Sequence, residues 1–294
     1  MFPIQYDEPV FRPPSEGNSL ILQITIGCSY NECSFCEMYT SKQFKPRQQT
    51  DIFKDIEAFY PYADQIQKVF LADGDPMVLS NKRLVPILQK LKLQFPNLRR
   101  VSAYATPANL NKKTLEELLE LKMNGLSLVY VGIESGDNAV LQLIKKGESY
   151  DSIVSGLNKS KQAGMDASVM VIKGVGGRKN SREHAIESAK VLNATQPKFA
   201  STLVLMTHKG MEHYTNRLDG SFEPMEESEQ FQELKTFVEH LQLEHTIFRS
   251  DHASNRLVLK GTLGKDKTKF IRQIEEAIQH PNKNNLRPDA YRGY

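Results

Sequence analysis

All three cysteines of the chain fall within nine positions, in Cys28-Ser-Tyr-Asn-Glu-Cys33-Ser-Phe-Cys36. A [4Fe–4S] cubane has four irons, each taking one external ligand, and cysteine thiolates are the usual choice. Three thiols hold three irons and leave the fourth open to a substrate or cofactor. A disulfide scaffold fits poorly, because the count is odd and the chain is long. A Cys3His zinc site competes, since Cys33 and Cys36 have CxxC spacing and seven histidines could supply a fourth ligand. Buried free thiols are the third reading, and the clustering of every cysteine in one loop weighs against it.

The elements that must position this loop form an alternating series. Four prolines make residues 1–18 an irregular, extended lead-in. Apolar, strand-like runs follow at 19–26, 68–72, 100–105, 126–133, 166–173 and 199–206. Between them lie helix-like stretches at 51–63, 81–94, 111–124, 138–146, 152–163 and 181–193. In the 111–124 stretch Leu115, Leu118, Leu119 and Met123 repeat at helical spacing, and Gly125 suits a C-terminal cap. Beyond these, 226–244 and 265–280 read as helices, 248–264 as a mixed segment, and 281–294 as a polar, loose tail. Six strand–helix units imply parallel strands with right-handed crossovers, in an open sheet or a barrel. In either arrangement chemistry gathers at the carboxyl ends of the strands. Every unusual loop falls at such an end: the cysteines, Asp73-Gly74-Asp75, Thr106-Pro107, Glu134-Ser135-Gly136, Gly174-Val-Gly-Gly177 and Thr207-His-Lys-Gly210.

Composition fits one large α/β domain with an appendix. Apolar residues make up 39% and charged ones 25%, and the net charge of +3 does not call for a nucleic-acid partner. The first residues have neither a basic n-region nor an apolar h-region, so no signal peptide is read there. No apolar run is long enough to span a bilayer. Free cysteines and no export signal point to a reducing cytoplasm.

These motifs together resemble the radical S-adenosylmethionine (SAM) superfamily, over about residues 18–215, and within it the branch of oxygen-independent coproporphyrinogen oxidase and tRNA methylthiotransferase cores. The resemblance implies a partial (β/α)6 radical-SAM barrel, TIM-barrel-like, with the N-terminal lead-in at 1–18, the core at 19–215 and a C-terminal α/β extension at 216–294. It also implies that Cys28, Cys33 and Cys36 hold a [4Fe–4S] cluster whose fourth iron is chelated by SAM. Reductive cleavage of SAM then yields a 5′-deoxyadenosyl radical that abstracts hydrogen from substrate. Phe35 matches the aromatic before the last ligand, close to adenine. Asp73, Gly74 and Asp75 sit where the family has Gly-Gly-Glu, the loop that receives the methionine ammonium. Glu134 and Ser135, in Gly132-Ile-Glu-Ser-Gly136, match the loop serving the ribose hydroxyls or the methionine carboxylate. Ile172 and Gly174 match a fifth strand lying against adenine, and Leu205 and Met206 a sixth.

The chain departs from that pattern twice. Four residues rather than three separate Cys28 from Cys33, and Asp-Gly-Asp replaces Gly-Gly-Glu.

With all three thiols used, no second cysteine-ligated cluster, thiyl donor or methyl-carrying thiol is left. A protein radical that relays hydrogen would then fall to tyrosine, and strand alternation aims Tyr130 with Glu134, and Ser102 with Tyr104 and Thr106, into a wet interior. Tyr104, Tyr130 and His252 are therefore the candidates for catalysis, each set against an ordinary structural role. Asn255, His208 and Lys209 are further candidates for substrate contact, and Lys42, Lys45 and Arg47 for neutralising an anion. The expected partners are an unidentified substrate and an electron donor such as flavodoxin or ferredoxin. A non-catalytic zinc or iron–sulfur protein on the same scaffold is the alternative.

Overall fold

The computed structural model describes residues 3–207, 210–218, 222–281 and 286–292. Among them are ten strands: β1 (Leu20–Gln23), β2 (Thr25–Ile26), β3 (Lys45–Pro46), β4 (Lys68–Ala72), β5 (Arg100–Tyr104), β6 (Leu126–Glu134), β7 (Asp166–Lys173), β8 (Phe199–Val204), β9 (Ile247–Arg249) and β10 (Lys260–Thr262). Eight are hydrogen-bonded in the order β1-β4-β5-β6-β7-β8-β9-β10, and β2 pairs with β3 in a separate ribbon. The sheet is mostly parallel and not closed, as in a partial barrel. Within it β1–β4–β5–β6 and β7–β8–β9 pair in parallel, and β9 with β10 runs antiparallel.

The chain forms two compact units, Met1–Asn31 with Met38–Val131 and Gly156–Ala167, and Glu32–Glu37 with Gly132–Ser155 and Ser168–Tyr294. In the first unit β1, β4 and β5 are in register through Leu22–Leu71 and Phe70–Ser102. Leu22, Val69, Phe70, Leu71 and Ala103 are fully buried there. Runs buried on both faces are what a parallel sheet covered by helices requires. In the second unit β7 alternates half-buried and buried residues along its length and pairs in parallel with β8, and the helices Gly177–Thr195 and Glu227–His240 pack on each other.

Three expectations are modified. The first strand breaks at Ile24, and its last two residues leave β4 to pair with β3. The helix expected over 111–124 is two helices, Pro107–Lys112 and Leu115–Met123. Lys113 is extended between them, and Thr114 and Glu117 form a reciprocal capping box that satisfies the donors of the new N-terminus. The face turned inward is accordingly Leu118 and Leu121, while Leu119 and Met123 are exposed. The segment 248–264 contributes β10 and most of β9, two strands more than the six expected.

The lead-in is irregular apart from a 3-10 turn at Pro14–Glu16 that inserts a fully buried carboxylate. Glu16 Oε1 accepts from the Tyr130 hydroxyl at 2.6 Å and from Arg100 at 2.7 Å, and Ser15 Oγ lies 2.8 Å from the same hydroxyl. Burial, then the bond to Glu16, holds the Tyr130 phenol well above its usual pKa. Tyr130→Phe removes a donor from a buried carboxylate, and the expected loss is about 1–3 kcal/mol of stability, read from urea unfolding.

Candidate functional site

In the first unit the opening of the cysteine loop is stitched to the loop after β4. Asp73 is fully buried, and its carboxylate accepts from Gln23 Nε2, the Gly27 amide and Lys42 Nζ, each at 3.0 Å. The Gly74 amide donates back to the Gly27 carbonyl at 3.1 Å. A Cβ on Gly74 would stand 2.9 Å from the Cys28 Cβ and 2.8 Å from the Tyr39 ring. Only glycine lets the thiol-bearing turn and that ring close on the backbone here.

Asp75 is buried to the same degree but satisfied on one side only. Its Oδ2 accepts from the Ser29 hydroxyl and from Asn109 Nδ2, whereas Oδ1 has no hydrogen-bond partner among the described residues. Burial pushes its carboxyl up to about 6, against the pull of those two bonds and of Lys112 and Lys113. A buried, unpaired acceptor is costly, and a cationic donor at Oδ1 would relieve that cost.

In the second unit the end of β6 folds back on itself. Glu134 has φ of +64°, and the Ser135 amide donates to the Ile133 carbonyl at 2.8 Å, a strained three-residue turn. A Cβ on Gly132 would lie 2.1 Å from Glu134 Oε1, so that glycine makes room for the returning carboxylate. Glu134 pairs at 3.0 Å with Lys146, whose ammonium also sits 5.6 Å over the Phe35 ring. Burial works against the Lys146 charge, yet Glu134 and the Cys33 and Cys36 thiolates outweigh it and raise its pKa above the ordinary lysine value. Phe35, Ile172 and Leu205 pack together against Val140, Ile144 and Val175. Arg217 donates to the Cys33 carbonyl at 3.2 Å, and the Cys36 amide closes a turn on the same oxygen.

The sequence candidates thus separate by role. Phe35, Ile172 and Leu205 come together, and Met206 is half-buried just beyond β8. Ser135 is fully buried behind Glu134, and Gly174 turns the chain after β7 with φ of +76°. Lys42 and Arg47 are taken by Asp73 and Asp55, and Lys45 is exposed on the β2–β3 ribbon. Tyr104 is half-buried and meets Tyr130 and Phe70 edge-on. Ser102 is fully buried and donates to the Val69 carbonyl at 3.4 Å, and Thr106 caps the helix Pro107–Lys112.

His252 lies 2.9 Å from Ser254 Oγ, and burial, then Arg287, lowers its pKa. Its neighbours extend the edge of β8, Ser254 Oγ accepting from the Val204 amide and Asn255 donating to the Thr202 carbonyl. His208 and Lys209 lie outside the described residues. Sequence reading missed Lys146, His184 and Glu233. The only local mark of Lys146 is a lysine pair ahead of Gly147, and the other two are ordinary helix residues until packed.

The chemistry of the donors fits an iron–sulfur cluster. Three thiols are free of disulfides and half-buried, and a buried ammonium lies beside two of them to offset thiolate charge. Among the described residues no three His, Cys, Asp or Glu side chains gather as the shell of one metal ion. No described helix is long and apolar enough to cross a membrane.

No curated protein sequence matches the chain. Among solved structures, methylornithine synthase (PylB) is similar at a TM-score of 0.53 and 16% identity, over 87% of this chain and 68% of its own. Coproporphyrinogen III oxidase (HemN) from Escherichia coli, a radical SAM enzyme, gives a TM-score of 0.59 at 17% identity, over 75% and 51%. HydG, a maturase of the [FeFe]-hydrogenase, gives 0.52 at 16%, over 88% and 55%. At such identities the likeness is one of fold, and the chain spans about half to two thirds of those proteins. The Radical SAM superfamily model matches residues 22–194, more than half of the chain and all of both cysteine-loop and Glu-Ser-Gly segments. The chain belongs to the Radical SAM superfamily, and it is an enzyme of that superfamily.

Proposed function

We propose that the chain holds a [4Fe–4S] cluster through Cys28, Cys33 and Cys36, binds SAM, and abstracts hydrogen from a substrate. When bound, the cluster and SAM supply one-electron reduction and a carbon radical. The chain's own residues bind, orient and exclude water. Asp75 is assigned the ammonium of the methionine moiety, and the observation that carries the reading is its buried, partnerless Oδ1. Asp73, whose carboxylate is already committed to Lys42, Gln23 and Gly27, contributes by holding the Gly74 backbone against Cys28. Glu134 and Ser135 are assigned the ribose and carboxylate side, with Lys146 as the cation beside them. Phe35, Ile172, Gly174, Leu205 and Met206 are assigned the adenine.

Tyr104 and Tyr130 are kept as the candidates for relaying hydrogen and His252 for meeting substrate; the Tyr130 hydroxyl is held by Glu16 and Ser15, and His252 lies against Ser254. Residues 19–215 are taken as the catalytic core and 216–294 as an extension. Cysteines outside any disulfide suit a reducing cytoplasm, and the reductant is assigned to a flavodoxin or ferredoxin.

Anaerobic reconstitution with iron and sulfide, followed by reductant and SAM, tests the reading. About four irons per chain and release of 5′-deoxyadenosine are expected. One equivalent of zinc with no cleavage would overturn it.

A further inference from the structure

Both cofactor-side turns of the second unit meet a row of buried side chains, and its far end lies outside the segment matched by the family model. Ser135 Oγ is 2.8 Å from His184 Nδ1 and accepts from the Asp137 amide at 3.0 Å. His184 Nε2 stands 3.9 Å from Glu233 Oε1. That same oxygen accepts the Gly174 amide at 2.7 Å. Ser135, His184 and Glu233 are each no more than 3% exposed. The helix Gly177–Thr195 adds a second clamp, because Ser188 Oγ accepts from the Gly136 amide at 2.9 Å. A Cβ on Gly136 would sit 2.3 Å from the Glu187 carbonyl, so this helix lies directly on the turn.

Burying a carboxylate and an imidazole behind a sheet is costly unless their bonds do something specific. Here Glu233 reaches from the helix Glu227–His240 to the first amide after β7, where a glycine at positive φ leaves the backbone open. Lys173, buried at the end of the same strand, supplies positive charge toward Glu233.

We infer that Glu233 is a positioning residue for the SAM site, fixing the Gly174 turn by a direct hydrogen bond and standing beside the His184 that meets Ser135, so that the C-terminal segment completes a site whose other residues lie in the family-matched core. The inference rests on the assignment of Gly174 and Glu134 to the cofactor.

Two substitutions separate reach from charge. Glu233→Gln keeps an acceptor at the same length, and Glu233→Asp keeps the charge but falls short of Gly174. Amide hydrogen exchange on the cluster-free chain reads the Gly174 bond without any cofactor. Protection at Gly174 is expected to survive in Glu233→Gln and to be lost in Glu233→Asp. Calorimetric SAM binding to the cluster-loaded, unreduced protein should be near wild type for Glu233→Gln and about tenfold weaker for Glu233→Asp, with iron content unchanged.

The reverse order, equal losses, or no loss in either variant overturns the inference, since reach to Gly174 would then not be what matters. A wild-type protein that binds no SAM defeats the proposed function instead, and the exchange data still report on the Gly174 clamp.

Discussion

Asp75→Asn is expected to stabilise the cofactor-free chain while weakening its hold on SAM. The carboxyl is fully buried, and burial lifts it from 3.8 to about 6. A raised acid pKa means that folding favours the protonated form. Its contribution is present below the unfolded value and is lost as pH rises through the folded one. At neutral pH two pKa units correspond to a penalty of about 3 kcal/mol for keeping this charge inside. Asparagine removes the charge and can still accept from Ser29 and Asn109. Its own amide hydrogens then face the position of the unpaired oxygen, so the net gain is about 1–3 kcal/mol. Denaturant midpoints between pH 4 and 7.5 check the sign. Wild type should lose stability toward neutrality over that window, and the gap to the variant should open with it. The same change removes a charge-assisted bond to an ammonium, and SAM affinity should fall by about 10–100-fold. A site that destabilises its own fold until the ligand arrives is a known compromise between stability and function.

Lys146→Met should be the most destabilising single change around the cysteines. Glu134 is buried and the Lys146 side chain is only 11% exposed, so removing one partner strands the other's charge, at a cost of about 3–5 kcal/mol. Glu134 also occupies a strained turn that its ion pair helps to hold. Glu134→Gln in the same chain should recover most of the loss, because the stranded charge is gone. A double-mutant cycle on the cluster-free chain measures the coupling directly. A full loss that persists in the double variant would show that Lys146 acts through its packing on Phe35 or its charge near Cys33 and Cys36.

The strand series was legible because a parallel sheet buried on both faces leaves continuous apolar runs, and β7 keeps both boundaries expected for it. The 111–124 helix was misread because hydrophobic spacing continues across Lys113, while the Thr114–Glu117 box that restarts the helix is a subtler mark. β9 and β10 were hidden in a short, polar segment whose pairing depends on β8 rather than on its own pattern.

What the sequence determined by itself is the chemistry available: three thiols at fixed gaps, carboxylates after β4 and β6, and glycines where the chain must turn. Those are local and covalent, and need no fold to be read. Which carboxylate is spent and which is left open was decided only in three dimensions. Asp73 accepts hydrogen bonds from Gln23, Gly27 and Lys42, which lie 50, 46 and 31 residues away, whereas Asp75 keeps one oxygen bare. Glu233 reaches Gly174 across 59 residues of chain. Hydrogen bonds of that span are set by how helices pack on strands, and residue spacing carries no record of them.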